Sequence, residues 1–435
     1  MRRKLETYFE FEQLGTNWKT EILAGVTTFM TMAYIVFVNP SILHDAGMPF
    51  NAVLAATCFC AAFGSILMGI LARYPIALAP GMGLNAYFAY SVVKGMGVPW
   101  QVALGAVFLS GVAFLVLTFA GIRQLIVAAI PRELYAAVAA GIGLFIAFIG
   151  LRNSGIIAPN SATVVGLGNL RDPNTLLSIF GLLLISVLLA WRVRAAMLIG
   201  ILATMLAGVI FHVTPWKPAA YSLPDWSATA LHLDVSGALR LGLLEIVFVF
   251  LFVDLFDNVG TLVAVGKKAE LFDETNRIPR LDRILFADAT ATVAGSLTGT
   301  STVVSYIESA AGVAAGGRSG VTAIVTGLLF VAALFLAPFV GTIPSAATAP
   351  ALIVVGSLMV SHLNEIPWSD PVIAVPAFLT LIGIPLTFSI ANGLAFGFTA
   401  YAILKILHGR FREVGWPVYT LAGLFVLRFF YLGKG

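Results

Sequence analysis

Val253–Leu262 reads VDLFDNVGTL, and it sets Asp254 and Asp257 near the middle of an apolar run that extends from about residue 241 to 265. Such a run is long enough to cross a bilayer as a helix. A carboxylate at mid-bilayer costs roughly 2.5 to 3.5 kcal/mol on insertion scales, so an acid placed there marks a functional site by default. The spacing of Asp254 and Asp257 puts both on one helical face, about one turn apart.

The rest of the chain is as apolar as this stretch. Of 435 residues, 59% are hydrophobic and 11% charged, with a mean hydropathy of +0.97; soluble domains average about 25% charged. The composition predicts an all-α polytopic membrane protein whose solvent is the lipid bilayer. A net charge of +4 gives no sign of nucleic-acid binding. Cys58 and Cys60 share one apolar run and are too few for a disulfide framework or a four-ligand metal site. The histidines at 44, 212, 232, 362 and 408 fall at predicted span ends or in loops. Neither metal-ligand spacing nor a hydrolytic triad appears, so no cofactor, metal or enzyme activity is expected. Residues 1–19 are too polar for a signal peptide and read as a cytosolic amphipathic segment.

Apolar runs fall at about 20–43, 51–72, 76–93, 100–121, 133–151, 174–191 and 195–214, then at 241–265, 283–298, 301–316, 319–341, 345–361, 371–387 and 388–407. The count predicts 14 spans in two sets of seven, divided by the polar stretch Pro215–Arg240. An odd number per set makes the second set enter the membrane inverted, a recurrent transporter plan. With the N-terminus inside, eighteen Lys and Arg fall on inward connections, against five (Lys94, Arg152, Arg171, Lys217 and Arg240) on outward ones. That asymmetry obeys the positive-inside rule. The remaining run, from Trp416 to Leu432 with Arg428 inside it, reads as a terminal interfacial helix.

Two spans are too irregular to be simple helices. The third, IALAPGMGLNAYFAYSVV, carries Pro80, Gly81 and Gly83 at bilayer depth before a helix from Leu84; the tenth, GTSTVVSYIESAAGVAAGG, opens with β-branched residues and ends with small ones. Each reads as a short strand followed by a half-helix. Non-helical backbone is tolerated at this depth only inside protein or along a cavity, and the two breaks occupy matching positions in the two sets.

Among the 21 acidic residues, Asp254, Asp257, Asp288 and Glu308 are the ones placed well inside predicted spans. Glu308 lies at the strand-to-helix junction of the tenth span and Asn85 at the corresponding junction of the third. Half-helices starting there would aim free N–H groups at one volume. Carboxylates accept hydrogen bonds, Asn85 both donates and accepts, and Gly81 and Gly83 let a flat ligand approach the backbone. A neutral heteroaromatic with alternating N–H and ring nitrogen suits this set, whereas a mineral anion would be repelled. Tyr87, Phe88, Phe256 and Tyr306 are candidates to cover the ring faces, and the turn after Asp257, with Gly260 and Thr261, reads as room for a ligand.

GVTTFMTMAYIVFVNP in the first span, APGMGLNAYFAY in the third, DLFDNVGTL in the eighth and STVVSYIESAAGVAAGGRSG in the tenth resemble the AzgA-like purine permeases of the uracil, xanthine and ascorbate transporter superfamily. The likeness covers essentially the whole chain. It implies import of adenine, guanine or hypoxanthine by proton symport, with an elevator motion of a core domain (20–121 and 241–341) against a gate or scaffold domain (122–240 and 342–435). The matching binding residues are Gly83, Asn85, Asp254, Asp257 and Glu308, and Asp254 or Asp288 would take the coupling proton. A homodimer through the gate domain and residence in the cell's inner membrane, N-terminus cytoplasmic, belong to the same expectation. A uracil or xanthine carrier, and a non-transporting receptor or scaffold, are the competing readings.

Overall fold

The computed structural model describes residues 2–120, 131–214, 225–240, 244–269, 271, 278–335 and 343–432. Arg123, Lys217 and Arg277 of the charge argument lie outside them, as do the side chains of Phe256 and Arg428. The chain is mostly helical. Among the described residues, eight helices are long and apolar enough to cross a membrane: 18–45, 50–71, 100–119, 132–153, 173–190, 245–268, 345–365 and 390–407. Shorter apolar helices occupy Ala196–Ile210, Gly320–Leu334, Pro371–Thr387 and Trp416–Leu427. This is the architecture of a multi-pass membrane protein.

Packing sorts these helices into two groups. In one, Phe50–Leu71 packs on Gly320–Leu334 and Leu281–Thr298, Trp18–Met32 on Gly320–Leu334, and Trp100–Phe119 on Leu281–Thr298 and Leu244–Lys268. In the other, Arg132–Asn153 packs on Ser345–Met359 and Pro371–Thr387, and Pro173–Ala190 on Ala196–Ile210 and Ser345–Met359. Pro371–Thr387 also packs on Ile390–Leu407, which carries the terminal helix Trp416–Leu432. That last helix buries Val418 and Phe425, with Phe425 against Phe398 and Phe248.

Both irregular spans contain a strand and a short helix. Strand β1, Leu78–Pro80, precedes the helix Met82–Ala86, which widens into a π-type helix over Tyr87–Gly95. A hairpin, β2 (Ile157–Asn160) with β3 (Val164–Leu167), follows at the end of the Arg132–Asn153 helix. Strand β4, Val303–Ser305, precedes the helix Ser309–Ala314. β1 and β4 pair antiparallel, Leu78 opposite Ser305 and Pro80 opposite Val303. The Gly81 N–H donates to the Thr302 carbonyl at 2.9 Å, and the Tyr306 N–H to the Ala77 carbonyl at 2.9 Å. Without water, every backbone polar group here needs a protein partner, and hydroxyls on neighbouring helices supply the rest. Ser65 accepts from the Leu78 N–H at 2.9 Å and donates to the Leu78 carbonyl at 3.1 Å. Thr292 treats Val303 in the same way, at 3.1 and 2.9 Å.

One further buried acid has a structural role. Glu21, fully buried, accepts from the backbone N–H groups of Arg318 and Ser319 at 3.0 and 3.2 Å and from the Thr322 hydroxyl at 2.6 Å. It thereby satisfies free N–H groups at the start of the Gly320–Leu334 helix, where a negative charge is stabilised.

Candidate functional site

The helix Leu244–Lys268 runs unbroken through the acid pair. Asp257 is half-buried and lines a narrow crevice with Gly83, Tyr135, Val138, Ala139, Ile142, Val253 and Met359. The crevice lies where the two packing groups meet: Val253 and Asp257 belong to the first, Tyr135, Val138, Ala139, Ile142 and Met359 to the second, and Gly83 to the short helix Met82–Ala86, which touches both Leu244–Lys268 and Arg132–Asn153. Asp254 is fully buried and, among the described residues, is not part of the crevice wall. Asp288, also fully buried, lies on the neighbouring Leu281–Thr298 helix within electrostatic reach of Asp257, as does Glu308.

Glu308 stands immediately before the Ser309–Ala314 helix, at the junction expected from the sequence. Its Oε1 accepts a hydrogen bond of 2.7 Å from the hydroxyl of Tyr34, and its carboxylate is within reach of its own backbone N–H. Tyr34 is buried at the break between the helices Trp18–Met32 and Ile35–Asp45. Nothing in the sequence distinguishes this tyrosine from a packing residue except its place beside that break.

Asn85 sits one turn inside the third-span helix rather than at its junction, because the helix begins at Met82 and not at Leu84. Its Oδ1 accepts from the Ser301 hydroxyl, while its Nδ2 is buried without a partner among the described residues. Asn258 repeats the pattern: Oδ1 accepts from the Ser305 N–H at 3.4 Å, and Nδ2 is buried and unmet. Asn258 was missed by sequence reasoning; the polar dipeptide Asp257-Asn258 inside an apolar helix was the available signal. Each unmet buried donor costs about 1–3 kcal/mol. The two flank β4, Asn85 through Ser301 before it and Asn258 through its last residue, Ser305.

Gly83 serves close approach. It is helical, without the positive φ that would itself demand glycine. A Cβ there would come within 2.5 Å of Ile142 Cγ2 on the Arg132–Asn153 helix. Gly81, by contrast, would place a Cβ 3.6 Å from Asp257 Oδ2, which sets the start of the third-span helix directly against this acid. The space after Asp257 is already taken: a Cβ on Gly260 would coincide with the Tyr135 hydroxyl.

The candidate aromatics are placed differently. Tyr87 and Phe88 are fully buried against Phe250, at ring-centroid distances of 5.3 and 6.3 Å. The Tyr306 hydroxyl donates to the Pro80 carbonyl at 2.6 Å, cross-linking β4 to β1. The side chain of Phe256 lies outside the described residues.

Comparison with known proteins gives the setting of this site. Residues 19–396 match the profile of the Permease family Xan_ur_permease. The adenine permease AdeP of Escherichia coli (strain K12) is 45% identical over 428 residues, which cover 98% of this chain and 96% of that protein. The guanine/hypoxanthine permease PbuG of Bacillus subtilis (strain 168) is 47% identical over 440 residues, covering 98% of this chain and 100% of that one. These relatives are permeases, not enzymes. Among solved structures, the transmembrane domain of the cyanobacterium bicarbonate transporter BicA superposes with a TM-score of 0.68 at 16% identity, covering 86% of this chain and 97% of that one. The last likeness is one of fold.

Proposed function

Because the chain belongs to the Permease family Xan_ur_permease, we propose that it is a secondary transporter importing a purine nucleobase (adenine, guanine or hypoxanthine) by proton symport. The observation that carries this reading is the donor and acceptor set at the β1–β4 crossing. Asp257 and Glu308 accept from purine N–H groups, and the unmet amide donors of Asn85 and Asn258 meet its ring nitrogens or carbonyl oxygen. The relatives named for adenine and for guanine and hypoxanthine support the substrate class. The acids disfavour an anion substrate despite the fold shared with a bicarbonate transporter.

Asp257 holds substrate, and Asp254 or Asp288, buried beside it, carries the proton. A carboxyl that takes up a proton on one side of the membrane and gives it up on the other links proton movement to transport. The two packing groups act as core (20–121 and 241–341) and gate (122–240 and 342–435), with the core moving as an elevator. Fourteen spans in two inverted sets of seven account for the long helices, the three shorter ones before the terminal helix, Leu281–Thr298 and the two broken spans. The matching hydroxyl clamps of Ser65 on β1 and Thr292 on β4 support that repeat. The protein resides in the cell's inner membrane with its N-terminus in the cytoplasm, and it pairs through the gate.

Calorimetric titration of the purified protein with adenine, guanine, hypoxanthine, uracil, xanthine and bicarbonate tests the substrate class. Micromolar binding of at least one of the three purines, with the others weaker, is the expected result. Binding of uracil, xanthine or bicarbonate in preference to all three purines would overturn the assignment.

A further inference from the structure

The Arg132–Asn153 helix has 22 residues and is therefore about 33 Å long. At its Asn153 end lies a cavity of about 430 Å³, whose walls include Asp45, Phe50, Tyr90, Asn153 and Ser345. Toward the opposite end, Tyr135 is one wall of the crevice over Asp257. Its hydroxyl occupies the volume that a side chain on Gly260 would take, within hydrogen-bonding reach of the Gly260 backbone. Behind it, the ring of His362 meets the Tyr135 ring edge-on, with centroids 6.2 Å apart, and His362 Nδ1 lies 3.0 Å from Glu365 Oε1. Tyr135 is thus held between a notch on one packing group and an anchored imidazole on its own.

The notch occurs once in this turn. Asp257, Asn258, Val259 and Thr261 all carry side chains, so a tyrosine hydroxyl can seat against this face at Gly260 alone. Sliding the Leu244–Lys268 helix by one turn, about 5.4 Å, would remove the seat. Arg132, Lys267 and Lys268 lie toward the same end, which the charge bias makes the cytosolic one.

We propose that Tyr135, seated on Gly260, is the gate that closes the site toward the cytosol, and that release requires the two helix groups to leave the register in which the notch faces the hydroxyl. The inference rests on the transporter reading above. Tyr135 acts here as a positioning residue, closing the path rather than recognising the ligand.

The test uses a reporter cysteine, Ala139→Cys, on the crevice wall; the native Cys58 and Cys60 are buried and give little background. The full-length protein is reconstituted, and a membrane-impermeant maleimide is added to the cytosolic face without substrate. Gly260→Ala and Tyr135→Ala should each raise the labelling rate at least tenfold. Tyr135→Phe, which keeps the ring but removes the hydroxyl, should raise it a few fold. Unchanged labelling in both Gly260→Ala and Tyr135→Ala would overturn the proposal, and so would an Ala139→Cys parent that already reacts as fast as its variants. Because this readout needs no purine, it distinguishes failure of the gate from failure of the substrate assignment.

Discussion

Glu308→Gln is the substitution whose consequence the geometry determines most fully. Tyr34 donates to Glu308 Oε1 at 2.7 Å, and the second nearby group, the residue's own N–H, is also a donor. A carboxylate can accept from both and from a purine N–H, whereas an amide has one oxygen. If that oxygen stays with Tyr34, the NH₂ faces the purine N–H, donor against donor. If the amide turns around, the buried Tyr34 hydroxyl loses its acceptor. Either arrangement leaves one donor unmet, at about 1–3 kcal/mol, which corresponds to a Kd raised about 5- to 150-fold. Removing the competing donor should relieve the conflict, so Tyr34→Phe/Glu308→Gln should bind purine more tightly than Glu308→Gln alone. Calorimetry on the purified variants, after a check that each is monodisperse, reads both effects. A Glu308→Gln protein binding within twofold of the parent, or a double variant no tighter than the single, would refute this account of how Glu308 is used.

Four further outcomes follow from other parts of the molecule. Asp257→Asn should lose purine binding outright, while Asp254→Asn should keep binding and exchange yet fail to accumulate substrate against a gradient; calorimetry and gradient-driven uptake on both variants separate the roles. Gly83→Val should abolish binding by driving a side chain into Ile142, and Ile142→Ala should restore part of it, as read by calorimetry. Thr292→Val keeps the shape but leaves the Val303 N–H and carbonyl without their hydroxyl partner, so the melting temperature in detergent should fall, by the equivalent of about 1–3 kcal/mol. At the end of the Ile390–Leu407 helix, Arg410 and the buried Lys405 lower the pKa of the half-exposed Glu413 carboxyl to about 2. A depressed carboxylate stabilises the fold above its unfolded value and loses that contribution as pH falls through its folded one. Glu413→Gln should therefore lower the melting temperature slightly at pH 7, and the difference from the parent should shrink between pH 4.5 and 2.

How far the sequence could be read depended on how local each feature is. Pro80, Gly81 and Gly83 in one span and the β-branched run before Glu308 in another break helical pattern within a few residues, and the strands Leu78–Pro80 and Val303–Ser305 lie at those breaks. The pairing of those strands, and the hydroxyls of Ser65 and Thr292 that complete it, join distant segments and leave no periodic trace. Tyr34 is one aromatic in a chain with 11 Tyr and 32 Phe, so its bond to Glu308 could not be separated from ordinary packing. Glu21 shows the converse limit. It stands at the edge of a predicted span, and the groups it caps, Arg318, Ser319 and Thr322, lie 297 to 301 residues on, so this role leaves no local trace.

The central claim, that the site at the β1–β4 crossing carries purines and links them to protons, is tested most directly by uptake of radiolabelled adenine, guanine and hypoxanthine into proteoliposomes, with and without an inward proton gradient, for the parent and for Asp257→Asn. The parent should accumulate at least one purine above the external concentration when the gradient is imposed and only equilibrate it when the gradient is collapsed, while Asp257→Asn should do neither. Equal uptake with and without the gradient, or accumulation by Asp257→Asn matching the parent, would contradict the account.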